Sequence, residues 1–184
     1  MAHSPVLYAR DVMQPDVITV TPETRILDLH RLFVEEEIHG APVVRGDGVV
    51  IGVVSALDLL RIVRDEIEPG AGSTATTYFR DELPYSGPDW LAMPEDFQDR
   101  MQELTAADAM TRELVMVGPD ALLDAVVDTM LTQKVHRVLV GEHGVLEGLI
   151  TAFDLLHVLA RVLPPVPQAG TTRYTGYRGD VTRP

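Results

Sequence analysis

Two short stretches place polar side chains in an apolar setting at the same spacing. Gly52-Val53-Val54-Ser55-Ala56-Leu57-Asp58 and Gly148-Leu149-Ile150-Thr151-Ala152-Phe153-Asp154 each read as a strand end, a hydroxyl residue and a helix start. Ser55 and Thr151 are good N-caps, because a side-chain oxygen there accepts a backbone N–H of the first turn. Asp58 and Asp154 fall at the third helical position, where negative charge suits the helix dipole. Capping alone would account for all four residues. The same place is also an anion site, since a helix start offers unpaired backbone N–H groups beside a hydroxyl donor. A carboxylate one turn in can accept the two hydroxyls of a ribose. Phosphate on the hydroxyl and ribose on the carboxylate would make a nucleotide pocket. On the residues alone both readings stay open.

Other chemistry is thinly represented. The 184 residues include no Cys, which excludes disulfides, thiolate catalysis, zinc–cysteine sites and iron–sulfur clusters. GxSxG, HExxH and GxxxxGK[ST] are all missing. Gly46, Gly48 and Gly52 are one residue too widely spaced for GxGxxG and lie in a hairpin, not between a strand and a helix. Of the six His only His136 and His143 are close in sequence, with no carboxylate cluster at ligand spacing. No catalytic and no metal-binding residues are therefore expected. The 28 acids against 15 bases give a net charge of -13, which argues against nucleic acid as a partner. Met1–Arg10 lacks the layout of a secretory signal, and no apolar run approaches the ~18 residues of a membrane span. The reading is a soluble, cytoplasmic protein with no membrane partner.

The polar pair recurs because the chain repeats itself. Asp11-Val12-Met13 returns as Asp108-Ala109-Met110, an offset of 97 that also relates Val20 to Val117, Pro22 to Pro119 and His39 to His136. The offset drops to 96 for Gly48-Val49 against Gly144-Val145, Gly52 against Gly148 and Asp58-Leu59-Leu60 against Asp154-Leu155-Leu156. The slip falls at a turn, where a change of length costs little.

Each copy predicts β-α-β-β-α. A first strand covers Val17–Val20 or Leu114–Val117. A helix follows, with Ile26, Leu29, His30 and Phe33, or Leu123, Val126, Val127 and Met130, on one face. Two strands around a tight turn come next, Ala41–Val44 with Val49–Val54 and Val138–Val140 with Val145–Ile150. Helices from Ala56 to Arg64 and from Ala152 to Val162 close the copies. One unit could bury only a marginal core, so two packed sheet to sheet are expected to share one. The domain reading is a first repeat over 9–64, an acidic connector over 65–104, a second repeat over 105–162 and a disordered tail over 163–184. Asp65–Asp108 carries eleven acids and two bases. Within it, 68–77 reads as a mobile loop, and 93–104 as a helix with Phe97, Met101 and Leu104 on one side.

These residues resemble the CBS domain, named for cystathionine β-synthase. The repeated Gly-hydrophobic-hydrophobic-Ser/Thr-x-x-Asp, the Asp-x-Met opening and Ile38-His39-Gly40-Ala41-Pro42-Val43-Val44 all match its pattern. Val135-His136-Arg137-Val138-Leu139-Val140 looks like the corresponding stretch of the γ regulatory subunit of AMP-activated protein kinase. The resemblance implies an α/β fold of tandem repeats with small mixed sheets around a pseudo-twofold, here with a helical insertion between them. It implies a stand-alone, non-catalytic regulatory pair that binds AMP, ADP or ATP in the cleft between repeats and controls an unidentified protein. S-adenosylmethionine binding is one alternative. A ligand-free interaction module acting through the acidic insertion is another.

By that carry-over Asp58 and Asp154 hold ribose, while Ser55, Thr151, His136 and Arg137 meet phosphate. Val17, Ile18, Thr19, Ile38, His39, Gly40 and Ala41 line one adenine pocket; Leu114, Val115, Met116, Val135 and Val138 line the other. Gly40 stands where a basic residue opposite Arg137 is expected, Leu139 replaces the usual Pro, and the connector is unusually long. Such pairs associate as flat dimers. Leu59, Leu60, Ile62 and Val63, with Leu155, Leu156, Val158 and Leu159, are apolar on more than one side, which predicts a homodimer through the repeat-closing helices.

Overall fold

The computed structural model describes residues 6–67, 99 and 101–163. The first copy contains helix α1 (Ile26–Glu35), strands β1 (Gly40–Val44) and β2 (Val50–Ser55), and helix α2 (Ala56–Ile67). The second opens with the short helix α3 (Ala106–Ala109) and strand β3 (Met116–Val117). Helix α4 (Leu123–Gln133), strands β4 (Arg137–Glu142) and β5 (Val145–Thr151), and helix α5 (Ala152–Val162) complete it. Sheet one is the antiparallel pair β1–β2; sheet two has the order β3-β4-β5, with β3 parallel and β5 antiparallel to β4. Both hairpins carry a bulge at the same place, between Val43 and Val44 and between Val140 and Gly141.

The expected first strands are largely absent in one copy. Of Val17–Val20 only Val20 pairs, through a parallel bridge to Val43. Val20 donates to the Pro42 carbonyl at 3.0 Å and accepts from the Val44 N–H at 2.8 Å. Extending this ladder towards Ile18 would need an N–H from residue 42, and proline has none. Copy two has Leu139 there. Its N–H donates to the Val115 carbonyl at 3.0 Å, so Met116–Val117 forms a true strand. One Pro-to-Leu difference between the copies thus decides whether a strand exists.

The two copies are tied together by exchange. Ala9 is fully buried in the core of copy two, and Ala106 in that of copy one. Gln14 forms a bridge to Leu149 on sheet two, and Thr111 forms the matching bridge to Val53 on sheet one. The hairpin tips also meet, Val49 against Val145. The expected single shared core is instead two clusters that trade residues. Phe33, Leu29 and Leu59 centre one, with Met101 and Ala106 added to it. Val138, Leu139 and Ile150 centre the other, which takes in Val50 and Val53 of copy one. The hairpin of copy one reaches into the second cluster and the opening helix of copy two into the first, so neither copy closes a core alone.

Residues 101–103 are helical, and Met101 is fully buried against copy one. Apart from residues 99 and 101–104, the expected connector helix lies outside the described residues, as do the 68–77 loop and the tail beyond Leu163. Among the described residues no helix is long and apolar enough to cross a membrane.

The exchange depends on two glycines. A Cβ on Gly148 would lie 2.7 Å from the Met13 sulfur and 2.9 Å from the Gln14 carbonyl oxygen; one on Gly52 would meet Met110 and Thr111 in the same way. The backbone oxygen cannot give way without breaking the bridge. Gly148→Ala is expected to cost about 1–3 kcal/mol, as overpacking does. Gly46→Ala, with nothing within 4 Å of the new methyl, should stay within about 0.5 kcal/mol of the parent. Urea midpoints of the two variants check the contrast.

Candidate functional site

Both hydroxyl–carboxylate pairs close capping boxes. Ser55 donates to Asp58 Oδ2 twice, from its N–H at 2.8 Å and its Oγ at 2.6 Å, while the Asp58 N–H reaches back to Ser55 Oγ at 3.3 Å. Thr151 and Asp154 repeat this at 2.8, 2.7 and 3.3 Å. The hydrogen bonds that begin α2 and α5 therefore consume Oδ2 and the hydroxyl proton in each copy.

The other carboxylate oxygen distinguishes the copies. Asp58 Oδ1 accepts from Arg61 Nη1 at 2.9 Å, an ion pair whose carboxylate is almost wholly buried. Burial pushes the Asp58 carboxyl above its ordinary value, against the opposing pull of Ser55 and Arg61. Asp154 Oδ1 instead accepts from Gln14 Nε2 at 2.8 Å. Gln14 comes from the exchanged segment of copy one, so Asp154 is wired across the repeat boundary.

Gln14 also lines a cleft of about 290 Å³ between the copies. Asp16, Val17, Ile18, Glu37, Ile38, His39 and Gly40 form its copy-one wall; Arg137 and Leu149 come from copy two. Val17, Ile18, Ile38, His39, Gly40 and Arg137 are thus gathered as the sequence suggested. Thr19 is exposed and does not line the cleft, whereas Ala41 is fully buried in the core of copy one. Val115, Val135 and Val138 are buried in the copy-two cluster, with Leu114 and Met116 packed against it. Val135 and His136 line a separate groove of about 360 Å³ between α4 and α5, with Val127, Met130, Leu131 and Leu155. Ser55, Asp58, Thr151 and Asp154 do not line the cleft either; Asp154 reaches it only through its hydrogen bond from Gln14.

Sequence reasoning missed Gln14, Asp16, Glu37 and Leu149. Each adjoins a named stretch, yet nothing local marks Gln14 as facing a residue 140 positions later. At the cleft wall His39 Nε2 is buried with no hydrogen-bond partner among the described residues. A buried polar atom left unpaired costs about 1–3 kcal/mol, which a bound group able to pair with it would relieve.

The CBS domain family model matches residues 9–65 and 106–161, so the chain belongs to the CBS domain family. It is a tandem pair of such domains. It is 26% identical over 157 residues to the uncharacterized protein MJ1426 of Methanocaldococcus jannaschii, covering 84% of this chain and 92% of that one. The fold is similar to the crystal structure of CBSX2 in complex with AMP, with a TM-score of 0.60 and 22% identity over 84% of this chain and 97% of that one. It is also similar to the CBS domain pair of protein MJ0100 in complex with 5′-methylthioadenosine and S-adenosyl-L-methionine. There the TM-score is 0.58, with 15% identity over 85% of this chain and 98% of that one.

The buried carboxyl gives a pH prediction. A folded pKa raised above the unfolded value means the native state binds the proton more tightly. The stability Asp58 contributes is then greatest below its unfolded pKa and is lost as pH rises through the folded one. Asp58→Asn removes the titration. The parent should lose stability relative to Asp58→Asn between pH 3.5 and pH 7, read from urea unfolding at both ends. A gap that moves the other way would contradict the assignment.

Proposed function

We propose that this CBS pair is a non-catalytic regulatory module that binds an adenosine-containing ligand in the cleft between its repeats. AMP, ADP, ATP and S-adenosylmethionine are the candidates. The observation that carries the reading is the cleft itself. The apolar side chains of Val17, Ile18 and Ile38 face Arg137 and Leu149 of the other copy. Such a slot suits a flat aromatic base, and a ligand held there would bridge the repeats and shift their relative stability. Complexes of CBSX2 with AMP and of MJ0100 with adenosine derivatives support the ligand class. Asp154 is our choice for the ribose acceptor, since Gln14 joins it to the cleft. Asp58, paired with Arg61, is assigned the structural role. Adenosine compounds are abundant in the cytoplasm, where we place the protein's work. The regulated partner would read the change in the pair.

A homodimer is part of the same proposal. Helix α5 exposes Phe153, Leu156, Leu159 and Val162, and α2 exposes Leu57 and Leu60. A second copy covering these faces would remove an apolar stripe that water disfavours. The proposed surface differs from the expected one, since Leu59 is fully buried and Leu155 half-buried within their own repeats.

Melting curves with the four candidate ligands test the binding. A ligand at 100 times its Kd should add about 2.7 kcal/mol, and Asp154→Ala should weaken it at least about tenfold, or about 1.4 kcal/mol. No shift with any of them would contradict the reading. Light scattering at micromolar concentration should return twice the 20.2 kDa chain mass. A Phe153→Asp, Leu156→Asp variant should return that mass once. A monomeric parent would remove the dimer from the account.

A further inference from the structure

The charges around the cleft do not suit a phosphate. Among its described lining residues Asp16 and Glu37 are carboxylates and Arg137 is the cation. Arg137 is half-buried, whereas both carboxylates are exposed. The hydroxyl expected to donate to phosphate is also committed, because Thr151 Oγ1 donates to Asp154 Oδ2 at 2.7 Å.

The repeat supplies an internal comparison. Glu37 follows α1 with φ 53°, and its counterpart Lys134 caps α4 with φ 55°. The same left-handed backbone position thus carries opposite charges in the two copies. Gly40 and Arg137 are likewise counterparts, each opening the first strand of its hairpin. Copy one therefore brings two carboxylates, His39 and no Lys or Arg to the wall it builds. In a chain of net charge -13, a phosphate would add repulsion that a neutral group escapes.

Taking the cleft as an adenosine site, as above, we infer that it selects adenosine compounds whose 5′ substituent is neutral or positively charged and disfavours 5′-phosphates. Glu37 and Asp16 are the specificity determinants. A sulfonium at the 5′ position would gain from both carboxylates, a thioether or hydroxyl would be tolerated, and each added phosphate would weaken binding.

Titration calorimetry on the full chain tests this with adenosine, 5′-methylthioadenosine, S-adenosylmethionine, AMP and ATP as probes, at 20 mM and 300 mM salt. Adenosine and S-adenosylmethionine should bind at least about tenfold more tightly than AMP at low salt. The gap should narrow at high salt, as screening demands. Glu37→Lys, which installs the copy-two residue, should shrink the gap at least about threefold, and Asp16→Asn should act in the same direction. Phosphate preference in the parent protein, or an unchanged ratio in both variants, would overturn the inference while leaving the adenosine site standing. Binding of none of the five probes would overturn the adenosine reading and this inference with it.

Discussion

The reciprocal docking of two short segments, each over a glycine of the other copy, is the constraint from which the rest follows. Gln14 exchanges backbone hydrogen bonds with Leu149 at 2.8 and 3.0 Å, and Thr111 does the same with Val53 at 2.8 and 2.9 Å. Each contact is possible because Gly148 or Gly52 presents no Cβ to the incoming methionine and carbonyl. The exchange carries Ala9 and Ala106 into foreign cores. It also fixes where the chain leaves the contact. The segment after Gln14 is delivered to the repeat boundary, and Asp16, Val17 and Ile18 become a cleft wall.

The same constraint separates two motifs that look identical in sequence. Both Ser/Thr-x-x-Asp units start a helix with the same hydrogen bonds and leave one carboxylate oxygen over. In copy one a residue of the same helix, Arg61, takes that oxygen and makes a buried ion pair. Such a pair roughly offsets its own desolvation, and breaking it strands a charge. In copy two the docked segment brings Gln14 to the oxygen, so a neutral side chain joins the helix start to the cleft. One copy of the motif is closed within its own helix, while the other is hydrogen-bonded to the segment that lines the repeat boundary.

Much of this was legible in the chain. The two offsets, the helix faces and the capping chemistry are local patterns, and local patterns survive translation into structure. Val17, Ile18, Ile38, His39, Gly40 and Arg137, which the family resemblance implies as site residues, line one cleft. Ala41 and Val138 belong to the same stretches but are fully buried, in strands that are buried at nearly every position. The missing strand at Val17–Thr19 was encoded too, in Pro42 against Leu139, but only the hydrogen-bond ladder gives that difference its meaning. Gln14 and Leu149 could not be read in advance. Their roles depend on a contact between distant segments, and no periodicity reports such a contact.

A ligand seated in the cleft would touch both repeats at once. Methyl NMR of the full chain, titrated with adenosine, would report that contact residue by residue. Ile18 and Ile38 from copy one and Leu149 from copy two should shift together and saturate with a single Kd. Shifts confined to one repeat, such as Val127, Leu131 and Leu155 around the α4–α5 groove, would contradict the account.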